Sequence, residues 1–399
     1  MLKFLKRENR SLENPQIPIS SSAILSFFGL DEASAAGESV TIDTALGVPA
    51  IWAAVSFLSG TLAVLPLQVF RKTDAGREQV DGGINDILHD APNDEMSSFE
   101  WRKYTFEQLF TGGRGVTFIE RKSSGEIINL WPIDPSKVTY ISDGRKRSYR
   151  VQNGGSAVVY GASEIIDLPF FLKPNGLDFR SPILSHADVI GMAIALTKYA
   201  GRFFAGGGVP PFAIEGPFQS PAAMQRAGDD LAAAMAKAAK EKRAALALPA
   251  GHTIKSLGVN PDKAHMIEAS RFIIEQIARI YSLPPTFLQD LTRSTFSNSE
   301  QQDLHFVKHT LLRWVEQFEQ QLNLKLFGRS NPDMYVELNV DGLLRGDFQG
   351  RMQGYAQGVQ NAILTPNEIR RMENFPDAIG GDDLMIQGAT VPIGQQEQK

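Results

Sequence analysis

Residues 282–302 read SLPPTFLQDLTRSTFSNSEQQ. Two adjacent prolines, Pro284 and Pro285, close an amphipathic run that begins near Pro261, because proline has no amide donor and clashes with the preceding turn. A second run opens at Asn298, where Ser297 or Asn298 can cap and Glu300 stands at capping-box distance. In the run before the prolines, Met266, Ile273, Ile277 and Ile280 mark one helix face and Glu268, Arg271, Glu275 and Arg279 the other. These charges are spaced for i,i+3 and i,i+4 ion pairs. In the run after Asn298, Leu304, Val307, Leu311, Trp314, Phe318 and Leu322 form an apolar stripe. Roughly 30 residues of helix would span about 45 Å, longer than a small domain requires. The intervening loop of Thr, Ser, Gln, Asp and one Arg is thus a polar segment suspended between two long helices.

The rest of the chain frames that segment. It has 399 residues, 43% of them apolar, enough for two or three folding units. There is no cysteine, which excludes a disulfide framework, a Cys zinc site and a Cys nucleophile. The formal charge of −5 does not suit a sequence-reading DNA-binding domain, which carries a basic excess. Near the N-terminus the apolar patch at 23–30 is separated from the basic start by a polar stretch containing Glu8 and Glu13. That argues against a signal peptide and for a flexible arm over 1–43. The most apolar run, 181–204, carries Asp188, Lys198 and Arg202, so no membrane span is expected.

From Leu46 the chain reads helix, then strand, with Ile51, Val55, Leu58, Leu62 and Leu65 close to the 3.6-residue period. A helix over 97–111 follows, then strands separated by the polar turn Lys122–Gly125 and a second such pattern near 147–172. These antiparallel pairs and their helices define an α+β unit. A long helix over 182–206 ends on three glycines, a common helix stop. A small β-α-β-β module follows, with Ser220 and Pro221 opening its helix. Toward the C-terminus, Gly342, Gly346, Gly350, Gly354 and Gly358 recur every four residues. That spacing fits either close approach of a neighbouring helix or a weak, frayed terminal helix, since each interior glycine costs about 1 kcal/mol against alanine. Thr365 caps a fresh start, and 379–399 is expected to be disordered.

No catalytic motif emerges. His305 and His309 are spaced i,i+4, but Phe306 stands where a zincin helix needs Glu, so no metal site is expected. TGGRGVTF at 111–118 lacks the Gly-Lys-Ser/Thr of a phosphate loop and leads into strand-like residues rather than a helix. No nucleophile elbow or acid–base pair is evident. Neither a catalytic residue nor a cofactor is expected.

The order of these elements, and the stretches FIIEQIARIYSLPPTFLQDLTRSTFSNSEQQDLHFVKHTLLRWVEQFEQQLNLKL and LNVDGLLRGDFQGR…LTPNEIRRMENFP, resemble the portal proteins of long-tailed double-stranded DNA phages, prophages and gene transfer agents. GVPAIWAAVSFLSGTLAVLPLQVFRK, LWPIDPSKV and SPILSHADVIGMAIALTKYAGRFFAGGGVP are weaker matches. TGGRGVTF departs from the Tyr-Gly-Asn-like turn common in that family. The resemblance implies a non-enzymatic ring, usually a dodecamer, at one capsid vertex of a virion assembled in the bacterial cytoplasm. By position it implies a wing at 44–181, a first stem helix at 182–208, a clip at 209–261 and a second stem helix at 262–284. A tunnel loop at 285–298, a wing helix and strand at 299–341 and a small helical crown at 342–378 would follow. The implied partners are duplex DNA in the lumen, the terminase large subunit, a head–tail adaptor and the major capsid protein. Thr292, Arg293, Ser294 and Thr295 would face the DNA, and Phe287 and Phe296 would anchor the loop ends. A non-conducting connector or minor capsid scaffold is the alternative.

Overall fold

The computed structural model describes residues 34–74, 76–142, 147–153, 155–176, 178–205, 212–218, 220–241, 253–256, 263–288, 299–329, 331, 333–340, 343, 348–373 and 375–385. Two compact units divide the chain. The larger comprises 1–64 and 69–336, and the smaller comprises 65–68 and 337–399.

The chain opens with α1 (Ile42–Leu46) and α2 (Pro49–Val64), then β1 (Leu67–Thr73), whose first two residues are counted with the smaller unit, and β2 (Gly76–Gln79). Pro49 stands at a helix start, where its missing amide is no loss. Next come α3 (Ile84–His89), α4 (Ser98–Thr111), β3 (Arg114–Arg121), β4 (Ile127–Ile133), β5 (Val138–Ser142), β6 (Arg147–Asn153), β7 (Ser156–Gly161) and β8 (Ile165–Pro169). The strands form small sheets in the orders β4-β3-β8 and β5-β6-β7, all antiparallel. The fold is therefore α+β, built of hairpins rather than parallel crossovers.

α4 starts on a capping box. Ser97 accepts from the Glu100 amide, and Glu100 accepts from the Ser97 amide. Its buried face carries Trp101, Phe106 and Phe110 onto Phe318 and Trp314 of the later helix, with ring centroids 5.2–5.8 Å apart. Each buried aromatic side chain of this size contributes about 2–3 kcal/mol by area removed from water. A second cluster, Val116, Val138, Tyr149, Val151 and Ile165, joins the two sheets.

The expected long helix at 182–206 begins later. Leu184–His186 forms a 3₁₀ turn, and α5 runs Ala187–Ala205. In the insert, β9 (Phe212–Glu215) pairs antiparallel with β10 (Thr253–Ser256), and α6 (Pro221–Glu241) lies between them in sequence. The further strand expected near 244–248 lies outside the described residues. α7 spans Lys263–Tyr281 and packs on α5 and α2.

The third long helix is not a uniform α-helix. α8 (Ser299–Phe306) passes through a π turn at Val307–Leu311 into α9 (Leu312–Leu322) and a second π turn at Asn323–Phe327. At the first turn, the hydroxyl of buried Thr310 donates to the Ser282 carbonyl just beyond α7. At the second, Asn323 accepts from the Val336 amide of β11 (Met334–Leu338). A π turn widens the helix by one residue, and each one here accompanies a polar bond to a neighbouring segment.

In the smaller unit, the Asn339 amide donates to the Pro66 carbonyl. α10 (Phe348–Gln360) and α11 (Pro366–Met372) follow. Arg351 and Tyr355 of α10 both bond Glu373 at 2.8 Å. Of the four-residue glycine series, a Cβ on Gly354 would meet open space, whereas one on Gly358 would press on Leu364 at 2.8 Å. Gly358 is thus closely packed and Gly354 is not; Gly342 and Gly346 lie outside the described residues. Asn367, 1% exposed, pins the following chain: it bonds Ala378 through its side chain and Gly381 through its amide. Within the segment expected as tail, the Gly381 carbonyl accepts the Asn367 amide, and Ile379, Leu384 and Met385 are exposed.

Candidate functional site

The chemistry around 282–302 is that of a clamp. α7 ends in a Schellman arrangement: Leu283 donates to the Ala278 carbonyl and Ser282 to that of Arg279. Ser282 takes a φ of +56°, a position glycine usually fills. Thr310 bonds its carbonyl, so the strained residue is held from the opposite helix. Tyr281, 1% exposed, donates its hydroxyl to the Phe110 carbonyl at 3.0 Å, and burial raises its pKa.

After the prolines, Pro285–Leu288 makes one 3₁₀ turn. It drops Phe287 between Phe57 of α2 and Phe306 of α8, with centroids 5.1 and 4.9 Å away, while Phe57 and Phe306 lie 5.2 Å apart. Thr286 then bonds the Gln302 side chain at 3.1 Å. Residues 286–288 and 302–306 are therefore held together at a single point. Of the residues singled out in the sequence, Phe287 belongs to this cluster. Thr292, Arg293, Ser294, Thr295 and Phe296 lie outside the described residues.

Nearby charges are modest. Glu275 and Arg279 form an exposed pair on α7 at 3.6 Å, worth a few tenths of a kcal/mol. Arg313 lies 4.6 Å from the Trp314 ring, and burial lowers its pKa. The His305 and His309 rings stand 4.5 Å apart on the exposed side of the first π turn. Among the described residues no group of three or more His, Cys, Asp or Glu is placed to hold a metal. Nor is any helix there long and apolar enough to cross a membrane.

Sequence reasoning missed one polar constellation. Arg114, in TGGRGVTF, is 1% exposed and forms a two-pronged ion pair with Asp167 of β8. Tyr149 donates to the same carboxylate at 2.9 Å, and Tyr140 lies under the guanidinium at 3.6 Å. Burial pulls the Arg114 pKa down, but Asp167 outweighs it and the net shift is upward. Burial raises both tyrosines. The glycines of this motif serve packing: a Cβ on Gly113, which has a φ of +89°, would fall 2.5 Å from the Arg180 carbonyl oxygen, and one on Gly115 would fall 2.7 Å from that of Thr105. A glycine-flanked arginine entering an apolar strand, and an aspartate inside IIDLP, were the available signals.

The fold is shared with solved structures. An HK97-family phage portal protein from Corynebacterium diphtheriae superposes with a TM-score of 0.56 at 18% identity, over 75% of this chain and 95% of that one. A chain from the neck of a native gene transfer agent particle, computed with C12 symmetry, gives 0.57 at 16% identity, over 83% and 91%. The sequence goes further. The portal protein of Enterobacteria phage HK97 is 30% identical over 362 residues, 89% of this chain and 85% of that protein. The profile described as phage portal protein matches residues 49–374. The chain belongs to the phage portal protein family.

Proposed function

We propose that about a dozen copies of this chain close into a ring at one capsid vertex, and that duplex DNA passes through its centre during packaging and ejection. Segment 285–298 forms the constriction, with Thr292, Arg293, Ser294 and Thr295 facing the duplex. The observation that carries this reading is the clamp: Phe287 against Phe57 and Phe306, with Thr286 on Gln302, ties both approaches to the polar segment into the core. Four hydroxyl or guanidinium side chains with a single cation suit transient contact, because each neutralised phosphate would add to a salt-dependent grip that opposes sliding. Family membership and the C12 symmetry of a structural neighbour support the ring.

In this reading 44–181 with 299–341 is the wing, 182–208 and 262–284 the stem, 209–261 the clip and 342–378 the crown. The clip meets the terminase motor and later the head–tail adaptor, and the ring contacts the major capsid protein. The protein itself is structural, and ATP hydrolysis belongs to the separate motor.

The test is native mass together with electron-microscope images of the purified protein. Rings of about a dozen subunits with a hole wide enough for duplex DNA are expected. Arg293→Ala should leave the ring intact while changing DNA packaging or retention. A species that stays monomeric at high concentration, or a ring without a lumen, sinks the conduit reading.

A further inference from the structure

α5 carries an unusual stripe. Asp188, Gly191 and Lys198 stand three and seven residues apart, so they lie along one side of the helix. Each is engaged by the short segment preceding α1. The Ala35 amide donates to Asp188 Oδ1 at 2.8 Å. Glu38 pairs with Lys198. Between these anchors Ser34, 5% exposed, sits on Gly191 so closely that a Cβ there would lie 1.9 Å from Ser34 Oγ and 2.3 Å from Ser34 Cβ.

The docking segment is itself folded. Ser34 donates its amide to the Glu38 carbonyl at 2.8 Å, Gly37 donates to the Ser34 carbonyl at 2.6 Å, and Ser34 Oγ accepts from the Glu38 amide at 3.2 Å. Gly37 closes the turn with a φ of +75°. The result is a five-residue knob whose serine enters a notch that only glycine can provide. The same helix offers a contrast: a Cβ on Gly201 would meet nothing within 4 Å.

We infer that this stripe of α5 is a receptor surface for the chain's own Ser34–Glu38 knob, with Gly191 as the notch and Asp188 and Lys198 as its polar anchors. The knob fixes the chain to α5 just before it enters α1. The inference does not depend on what passes through a ring. It also accounts for two of the charges that set this apolar helix apart from a membrane span.

Hydrogen exchange on the full-length protein, read by mass spectrometry over 34–40, tests it. In the unaltered protein the Gly37 and Glu38 amides should exchange at least about tenfold more slowly than in an unstructured chain. Gly191→Ala should abolish that protection, whereas Gly201→Ala, which makes the same change on the same helix, should not. Ser34→Gly combined with Gly191→Ala removes the clashing atoms. The Gly37 amide, whose acceptor is the Ser34 backbone carbonyl, should then regain about tenfold protection over Gly191→Ala alone, while the Glu38 amide, whose acceptor Ser34 Oγ is gone, is left out of that comparison. Ser34→Ala keeps the Cβ and should not rescue. Free exchange of 37 and 38 in the unaltered protein overturns the inference without any variant. So does full protection in Gly191→Ala, or a double variant no better protected at Gly37 than the single.

Discussion

Asp167 receives three donors in a buried site: two from Arg114 and one from the Tyr149 hydroxyl. Removing one member of such a pair leaves the other charged and dry, which costs about 3–5 kcal/mol. Asp167→Ala should therefore lower the urea midpoint sharply. Replacing both partners with apolar residues, Arg114→Met with Asp167→Leu, should cost much less than the two single changes added together. Additive losses would show that the two residues act independently. The pair also marks a limit of sequence reading. Arg114 and Asp167 are 53 positions apart, and only the β3–β8 register brings them together. Turn glycines announce hairpins locally, but nothing local says which buried strand holds the counter-charge. For the same reason TGGRGVTF could be excluded as a phosphate loop from its sequence, while its packing against Arg180 and Thr105 appears only in three dimensions.

At the scale of elements, local rules served where local bonds decide. Thr365, read as a cap in the sequence, does cap its helix and closes a capping box with Glu368; Ser97 and Glu100 form another, and the box expected at Ser297 or Asn298 lies outside the described residues. The bonds from the Ser97 amide and hydroxyl hold Glu100 below the usual carboxylate range. A depressed carboxylate pKa contributes stability that is complete above the unfolded value and is lost as pH falls through the folded one. Glu100→Gln keeps the box geometry without the charge. Its melting temperature should therefore sit below that of the parent at neutral pH and converge with it in acid below the ordinary glutamate range. A gap constant with pH would remove the charge from the account. The glycine series of α10 was ambiguous in the sequence because spacing does not reveal what faces it. Gly354→Ala, with open space at its Cβ, should stabilise the helix by about 1 kcal/mol. Gly358→Ala must displace Leu364 and should gain nothing. Equal gains at both positions would contradict this packing. The π turns were not legible, because each accompanies a bond from outside the helix: Thr310 to Ser282 and Asn323 to Val336.

At the scale of the whole molecule, charge sets the terms on which a ring of these chains could handle DNA. Each chain carries −5, so twelve would carry about −60, an overall field that repels a polyanion. A conduit needs that balance, because tight neutralisation of phosphates would hold the duplex in place. In the proposed arrangement each subunit offers one cation, Arg293, at the constriction. The assembled ring should accordingly show no stable complex with linear duplex DNA at physiological salt. Any weak association at low salt should fall away as salt rises through counterion release. Arg293→Ala should flatten that dependence and leave ring mass unchanged. Fluorescence anisotropy of a labelled duplex, titrated with intact rings across a salt series, measures both. Tight binding that persists at high salt would point to a gripping surface elsewhere on the molecule. A dependence that Arg293→Ala leaves untouched would remove the loop from contact with DNA, even if the ring itself stands.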